Sequence, residues 1–171
     1  GAGASGLTAK IAMGTTLAGD DIRAGAKIAN GTISGFARAR ASSGVQAVET
    51  EPNDEIAQAT TATFPGGASG VFQQPGDKDY FKFNAMKGQR LRFSGHSLKL
   101  GSPAVVNFRV LKTDGTQLAA APINPENELL VAWSVPEDGE YILEASELLQ
   151  RGGDEYAYVV ESAIGNSFTL T

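Results

Sequence analysis

The stretch Gly76-Asp-Lys-Asp-Tyr-Phe-Lys-Phe83 decides how this sequence folds. Its last residues begin a run in which Phe81, Phe83 and Ala85 alternate with polar residues, and Lys87-Gly88 then forms a turn. Alternation with period 2 is typical of a β-strand that has one apolar face and one solvated face. The stretch therefore predicts a strand that opens from a tight, acidic turn.

The same alternation returns in the segments that follow. Turn signals separate them at Thr113-Asp-Gly115, Pro136-Glu-Asp-Gly139 and Arg151-Gly-Gly153. Strands at this spacing predict an all-β fold, a jelly-roll-like antiparallel β-sandwich in which each sheet has one wet face. The predicted inward residues are Leu91, Phe93, Ala104, Val106, Phe108, Val110, Leu129, Val131, Trp133, Val135, Tyr141, Leu143, Ala145 and Val160.

Upstream of Gly76 the pattern is weaker. Gly66-Gly67 predicts a break in the chain, after which Val71 begins a short strand. Before that break, Asn53 or Asp54 is placed to cap one helical turn.

The first 48 residues are rich in small residues and predict additional short β-strands. One strand is predicted around Leu7 to Met13, and a second contains Ile33 and Phe36. We therefore expect three parts: 1–48 as a partial or accessory β segment, 49–163 as the main sandwich, and 164–171 as a linker or the first strand of a following module. The opening residues lack a basic end followed by an apolar core, so we expect a piece of a longer chain.

Composition excludes several classes of site. The chain has 171 residues, 42% of them hydrophobic, and no cysteine, which excludes disulfides and thiolate metal sites. The single histidine, His96, leaves little basis for a zinc site or for histidine catalysis, and we expect it at the surface. No apolar run is long enough to cross a membrane.

The net charge of −5 is strongly segregated along the chain. Residues 1–48 carry +3, 49–77 carry −5, 78–112 carry +7 and 113–171 carry −10. One explanation is that opposite charges pair across neighbouring strands. The other is a basic face that attracts a polyanion such as an acidic polysaccharide.

An acidic cluster precedes the first clear strand. Glu49-Thr-Glu-Pro-Asn-Asp54 supplies three carboxylates and an amide, and Asp77 and Asp79 add two more carboxylates in the turn. Oxygen ligands crowded into loops beside a sheet suit a hard cation such as Ca²⁺, which takes about 6–8 oxygens. The alternative is that Asn53 and Asp54 cap a helical turn while the other two acids stabilise a β-turn.

Seven short motifs occur in the order found in one known family. The run from Glu49 to about Ser162 resembles the bacterial pre-peptidase C-terminal domain and covers about two thirds of the chain. The matching motifs are Glu51-Pro-Asn-Asp54, Gly76-Asp-Lys-Asp-Tyr-Phe-Lys-Phe83, Lys87-Gly-Gln89, Leu100-Gly-Ser-Pro103, Asp114-Gly115, Pro136-Glu-Asp-Gly-Glu-Tyr141 and Gly152-Gly153 with Tyr156 and Tyr158.

The resemblance implies a non-catalytic sandwich appended to secreted enzymes or repeated in surface proteins. In collagen-binding members, similar domains bind calcium at the loop before the first core strand. The residues here that match those ligands are Glu49, Glu51, Asn53, Asp54, Asp77 and Asp79. The tyrosines that contact collagen have no counterparts in this chain, so collagen affinity is not implied.

We therefore expect an extracellular or cell-surface bacterial module, not an enzyme, that acts in binding, spacing or assembly. Acid pairs such as Asp77 with Asp79 share only proximity in sequence, which does not indicate glycoside hydrolysis. The alternative function is a structural subunit or repeat that docks through its terminal strands.

A partner, either an extracellular protein or a polysaccharide, would have two candidate surfaces. The first is a wet face with the basic residues Lys82, Arg90, Arg92 and Arg109. The second is a pair of tyrosines, Tyr156 and Tyr158, which share one face of a strand and either stack on a ligand or pack in the core.

Overall fold

Two five-stranded sheets pack face to face in the computed structural model, and a two-stranded hairpin precedes them. The structure describes residues 21–27, 33–42, 44–121 and 130–165. The predicted all-β sandwich is confirmed. In these ranges, no helix has the length and apolarity that crossing a membrane requires.

The strands are numbered in chain order. They are β1 Asp21–Lys27, β2 Ile33–Arg40, β3 Gln46–Val48, β4 Thr60–Thr61, β5 Gly66–Val71, β6 Lys78–Ala85, β7 Arg90–His96, β8 Val106–Lys112, β9 Gln117–Ala120, β10 Leu130–Ser134, β11 Gly139–Glu147 and β12 Ala157–Ile164. Short 3-10 helices occupy Ile56–Gln58 and Leu98–Leu100.

Sheet I has the strand order β10-β7-β12-β5-β3, and sheet II has the order β4-β6-β11-β8-β9. Neighbouring strands are antiparallel except at one edge of each sheet, where β3 pairs with β5 and β4 with β6 in parallel. The chain between β3 and β4 therefore crosses from sheet I to sheet II. This crossing segment contains the first half of the acidic cluster.

The core consists of the alternating residues that the sequence predicts. Phe81 is fully buried, and the ring of Phe64 packs edge-on against Phe83 and Phe93 at 5.1 Å in each case. Trp133 and Tyr158 are also buried. Leu129 lies outside the described residues.

Strand β11 is buried on both faces, which contradicts the prediction of one wet face per sheet. Ile142 is 0% exposed and packs with Tyr80 and Leu111 in a second small cluster, which Ile56 and Ala59 cover. The 3-10 helix of the crossing segment thus covers the part of the outer face of sheet II around Ile142.

Two upstream predictions are wrong. Gly66 and Gly67 are not a break but the first residues of β5. Glycine is needed at 66 because a Cβ there would overlap the backbone carbonyl oxygens of Thr63 and Val45. The helical turn begins after Glu55 and has no side-chain cap, so neither Asn53 nor Asp54 caps it. Both residues belong to the acidic cluster instead.

The predicted boundary after residue 48 falls within the sandwich, because β3 is a strand of sheet I. The predicted strand with Ile33 and Phe36 is present as β2, and Arg40 at its end contacts Glu161 of β12 at 2.8 Å. The predicted strand around Leu7 to Met13 and the residues from 166 onward lie outside the described residues.

Replacing Gly152 by alanine is expected to lower the free energy of unfolding by about 1–3 kcal/mol, the usual cost of overpacking. An added Cβ would overlap the backbone carbonyl group of Gln74, which cannot move without shifting the turn that leads into β6. Urea unfolding measures the change. Gly139→Ala is the matched control, because its nearest neighbour is an atom of Tyr141 at 3.9 Å, and an equal loss in both variants would contradict the prediction.

Candidate metal centre

The acidic cluster lies where the crossing segment meets the start of β6. The amide of Glu49 donates to the Ser69 carbonyl of β5 at 3.0 Å, which keeps the segment on sheet I. Four residues later, the Asn53 carbonyl accepts from the Tyr80 amide of β6 at 3.3 Å. The segment is therefore hydrogen-bonded to both sheets.

Three carboxylates form the centre of the cluster. Glu49, Glu51 and Asp79 each contribute one oxygen, and these oxygens all lie within 4.8 Å of one another. Calcium–oxygen distances are about 2.3–2.6 Å, so two ligands on opposite sides of one ion are separated by about 4.8 Å. The three oxygens therefore fit around a single ion.

Asn53 completes the inner part of the cluster and is fully buried. With its amide nitrogen turned toward the acids, it donates to Asp79 Oδ1 at 3.2 Å and to Glu51 Oε2 at 3.1 Å. If the amide group is rotated by 180°, its oxygen takes the place of the nitrogen and faces only carboxylate oxygens. A cation would stabilise this second orientation, because amide and carboxylate oxygens are both calcium ligands.

The other two predicted ligands form a pair beside this centre. Asp77 accepts from the Gln73 amide at 2.5 Å, and its carboxyl group contacts that of Asp54. The structure therefore brings all six predicted ligands into one region. Of the six residues, the four whose polar side-chain atoms lie closest to one another are Glu49, Glu51, Asn53 and Asp79.

Burial makes these carboxylates costly to ionise. Burial, followed by the neighbouring Glu51, raises the pKa of Glu49 to about 7. Burial and the nearby Glu49 raise the pKa of Asp79 to about 8, although the Tyr158 hydroxyl opposes this shift. Burial and the contact with Asp54 raise the pKa of Asp77 to about 6. Ionising Glu49 and Asp79 together near neutral pH therefore costs free energy, which a cation would offset.

One oxygen of the cluster lacks a hydrogen-bond donor when the carboxylates are ionised. Glu49 Oε1 accepts from the Val71 amide at 2.8 Å, whereas the buried Oε2 has, in the described part of the chain, no donor other than a protonated Asp79. The Oε2 atom lies against Gly70, where any Cβ would overlap it. A buried acceptor that faces other carboxylates fits a metal ligand, because an ion satisfies it once Asp79 is ionised and can no longer donate.

Tyr158 supports the centre from the core. Its hydroxyl donates to Asp79 Oδ2 at 2.6 Å, and its ring stacks on Phe72 at 4.6 Å. Burial, followed by the charge of Asp79, raises the pKa of this phenol well above its usual value. Tyr158 is 1% exposed, so it belongs to the core and cannot form the predicted stacking platform with Tyr156.

Sequence reasoning did not find the roles of Tyr158 and Gly70. The alternation that contains Tyr158 indicates a core position. Its hydroxyl could have indicated a contact with a polar residue, because a buried phenol needs a hydrogen-bond partner. No sequence signal distinguishes Gly70 from the other small residues of β5.

The four predicted basic residues do not share one face, so that prediction is wrong. Lys82 and Arg109 belong to sheet II, where they pair with Glu140 at 3.7 Å and with Glu144 at 2.5 Å. Arg90 and Arg92 lie on β7 in sheet I. The sequence pattern predicts on which face of its strand a residue lies, but it does not show which sheet the strand joins.

His96 is buried, not at the surface as predicted. It is 7% exposed, and its Nε2 lies 3.2 Å from Glu161 Oε2, the same oxygen that accepts from Arg40.

The metal-free chain is expected to lose stability as the pH rises from about 4 to about 8. Because the pKa values of Glu49, Asp77 and Asp79 are raised to about 7, about 6 and about 8, the folded chain binds more protons than the unfolded chain in this window. Urea unfolding in chelator measures the trend. An unfolding midpoint that rises between pH 5 and pH 8 would contradict the raised pKa values.

No protein-family model matches the sequence, and no curated protein matches it. Among solved structures, the chain is similar to the pre-peptidase C-terminal domain of collagenase from Bacillus anthracis, with 12% identity and a TM-score of 0.49 over 67% of this chain and 100% of that one.

Two further solved structures are similar. Both are PliG, a periplasmic lysozyme inhibitor of g-type lysozyme. The protein from Salmonella Typhimurium has 17% identity and a TM-score of 0.41 over 63% of this chain and 99% of that one. The protein from Aeromonas hydrophila has 12% identity and a TM-score of 0.41 over 70% of this chain and 100% of that one. At these identities and TM-scores the likenesses carry no argument about function, which rests on the side chains of this chain.

Proposed function

We propose that this chain is a non-catalytic β-sandwich module of a secreted or cell-surface bacterial protein, stabilised by one calcium ion. It serves in binding, spacing or assembly. The observation that supports this proposal best is the convergence of Glu49, Glu51 and Asp79, whose oxygens lie within 4.8 Å of one another around the buried Asn53.

The donor set favours calcium over other metals. All six predicted ligands offer oxygen, the sequence has no cysteine, and the single histidine, His96, contacts Glu161 instead of the cluster. Oxygen-only sites that combine carboxylates with an amide suit Ca²⁺, whereas zinc prefers nitrogen and sulfur. Glu49, Glu51, Asn53 and Asp79 would hold the ion, and Asp54 and Asp77 stand beside them.

An ion at this position would fasten the two sheets together. The crossing segment leaves β3 of sheet I and reaches β4 of sheet II, and Asp79 belongs to β6. Without the ion, repulsion among the carboxylates loosens this end of the sandwich. With the ion, the same charges stabilise the folded state by mass action.

The arrangement does not suit glycoside hydrolysis, which needs two carboxylates on either side of a scissile bond. A cleft of about 610 Å³ lies beside the cluster, and Glu49 is the one carboxylate of the central three that lines it. Asp79 is fully buried behind Tyr158. Asp154 and Glu155 also line the cleft, but both are exposed. Of the central three acids, a substrate in the cleft reaches Glu49 alone, which supports a structural role for the other two.

Thermal unfolding in calcium and in chelator tests the proposal. At a calcium concentration about 100 times Kd, the expected stabilisation is about 2.7 kcal/mol, which raises Tm by about 5–10 °C. Magnesium at the same concentration should have a smaller effect, because it requires near-ideal octahedral geometry. Glu51→Gln should remove most of the calcium effect.

Asp154→Asn is the matched control, because it also removes one carboxylate but from an exposed position outside the cluster. The control should keep the full calcium effect. Equal Tm values in calcium and in chelator for the unmodified chain would contradict the proposal.

A second candidate is a structural repeat that docks through its terminal strands. Strands β1 and β2 pair with each other and with neither five-stranded sheet in the described ranges. Isolated two-stranded hairpins are marginally stable, so a neighbouring chain would stabilise this one. Light scattering distinguishes the candidates: a monomer at all concentrations supports the binding module, and concentration-dependent association supports the repeat.

A further inference from the structure

Two arginines differ from the others whose side chains the structure describes. Arg40, Arg109 and Arg151 each pair with a glutamate, at 2.8, 2.5 and 2.6 Å. Arg90 and Arg92 are exposed, and in the described ranges neither guanidinium has an ion-pair or hydrogen-bond partner. Among the described residues, no side chain therefore neutralises their charges.

Both arginines lie on the same face of one strand. They are two positions apart on β7, which places them about 7 Å from each other on the outer face of sheet I. The stem of Arg92 runs beside Gly165, where a Cβ would lie 3.3 Å from Arg92 Cδ. Glycine at 165 thus leaves room for the side chain to lie along the backbone.

Arg92 separates two hollows on this face. The larger, of about 630 Å³, is also lined by Ser42 and Ser94. The smaller, of about 280 Å³, is also lined by Arg90 and Ser134. Each hollow therefore combines a guanidinium group with residues that carry hydroxyls.

The acid that lines the larger hollow with Arg92 already pairs with another arginine. Glu161 lines the larger hollow, but its Oε2 already accepts from Arg40 at 2.8 Å and lies 3.2 Å from His96 Nε2. The patch formed by Arg90, Arg92 and the two hollows therefore has a positive charge, in a chain with a net charge of −5.

We infer that this patch binds an acidic polysaccharide, with the two arginines pairing with carboxylate or sulfate groups and the serines with sugar hydroxyls. The inference rests on the proposed function, since it names the partner of a binding module. An acidic protein is disfavoured, because protein interfaces depend on buried apolar and aromatic anchors. Of the residues that line the hollows, Trp133 is the aromatic one, and at 8% exposed it belongs to the core.

Binding of the full chain to hyaluronan oligosaccharides and to dextran sulfate tests this inference. Hyaluronan supplies carboxylates and dextran sulfate supplies sulfates, while neutral dextran and polyglutamate are the comparison ligands. We expect binding to at least one of the two polysaccharides that weakens with salt, because screening reduces attraction between exposed charges. The double variant R90Q/R92Q should bind about tenfold more weakly, a change of about 1.4 kcal/mol.

The matched control is K82Q/K112Q, which removes the same charge from sheet II, where both lysines pair with glutamates. It should bind as the unmodified chain does. Equal losses in the two double variants, no binding to either polysaccharide, or tighter binding to polyglutamate would each overturn the inference. Tm measurements in calcium and in chelator on the same samples show separately whether the metal proposal holds.

Discussion

Replacing Phe83 by alanine is expected to lower the free energy of unfolding by about 3–5 kcal/mol, among the largest losses that a single substitution causes. Phe83 is 1% exposed at the centre of β6. Its ring lies 5.1 Å from Phe64, 5.8 Å from Phe93 and 6.4 Å from Trp133. Removing the ring leaves a cavity between the sheets. The neighbouring aromatic rings relax only partially and so do not fill it.

Urea unfolding in calcium measures this loss. Met86→Ala is the control, since Met86 follows β6 directly and is 63% exposed. That change should alter stability by less than about 0.5 kcal/mol. A loss below about 1 kcal/mol for Phe83→Ala would contradict the close packing of the two sheets.

Replacing Asp79 by asparagine is expected to have opposite effects with and without calcium. In chelator at pH 8 the variant should be more stable than the unmodified chain, because it removes a carboxyl group whose pKa is raised to about 8. An amide oxygen can still accept from the Tyr158 hydroxyl. In calcium the variant should lose the stabilisation of about 2.7 kcal/mol expected for the unmodified chain at 100 times Kd.

Urea unfolding of the unmodified chain and of the Asp79→Asn variant, each in calcium and in chelator, gives the four free energies of unfolding that the prediction compares. Asp154→Asn is the matched control, because it makes the same chemical change at an exposed position and should leave the calcium effect intact. A variant that is less stable in chelator and keeps the full calcium effect would show that Asp79 is a structural residue, not a ligand.

The strands from β6 onward could be predicted because large apolar residues alternate with polar ones. Phe81, Phe83, Phe93 and Phe108 are buried as the pattern indicates. Strand β5 was mispredicted because Gly66-Gly-Ala-Ser-Gly-Val71 consists mostly of small residues, which do not produce an alternation of apolar and polar side chains. Gly66 is needed for close contact with the backbone of Val45, and Gly70 for close contact with Glu49 and Tyr158, and these contacts join segments that are distant in sequence.

The candidate site was predictable in composition but not in arrangement. Two short stretches rich in acids, with the Asn53 amide, indicated the six predicted ligands, and the structure brings these residues into one region. The separation of Arg90 and Arg92 from Arg109 could not be predicted, because it depends on which sheet each strand joins. The burial of Glu144 and of His96 has the same origin, since segments far away in sequence cover them.

Calorimetric titration of calcium into the chelator-treated chain tests the central claim most directly. At pH 7, about one ion should bind per chain and displace protons from Glu49 and Asp79, whose pKa values are raised to about 7 and about 8. The measured heat should therefore change with the ionisation enthalpy of the buffer. Absence of saturable heat at millimolar calcium, in buffers of both high and low ionisation enthalpy, would contradict a calcium centre in this sandwich.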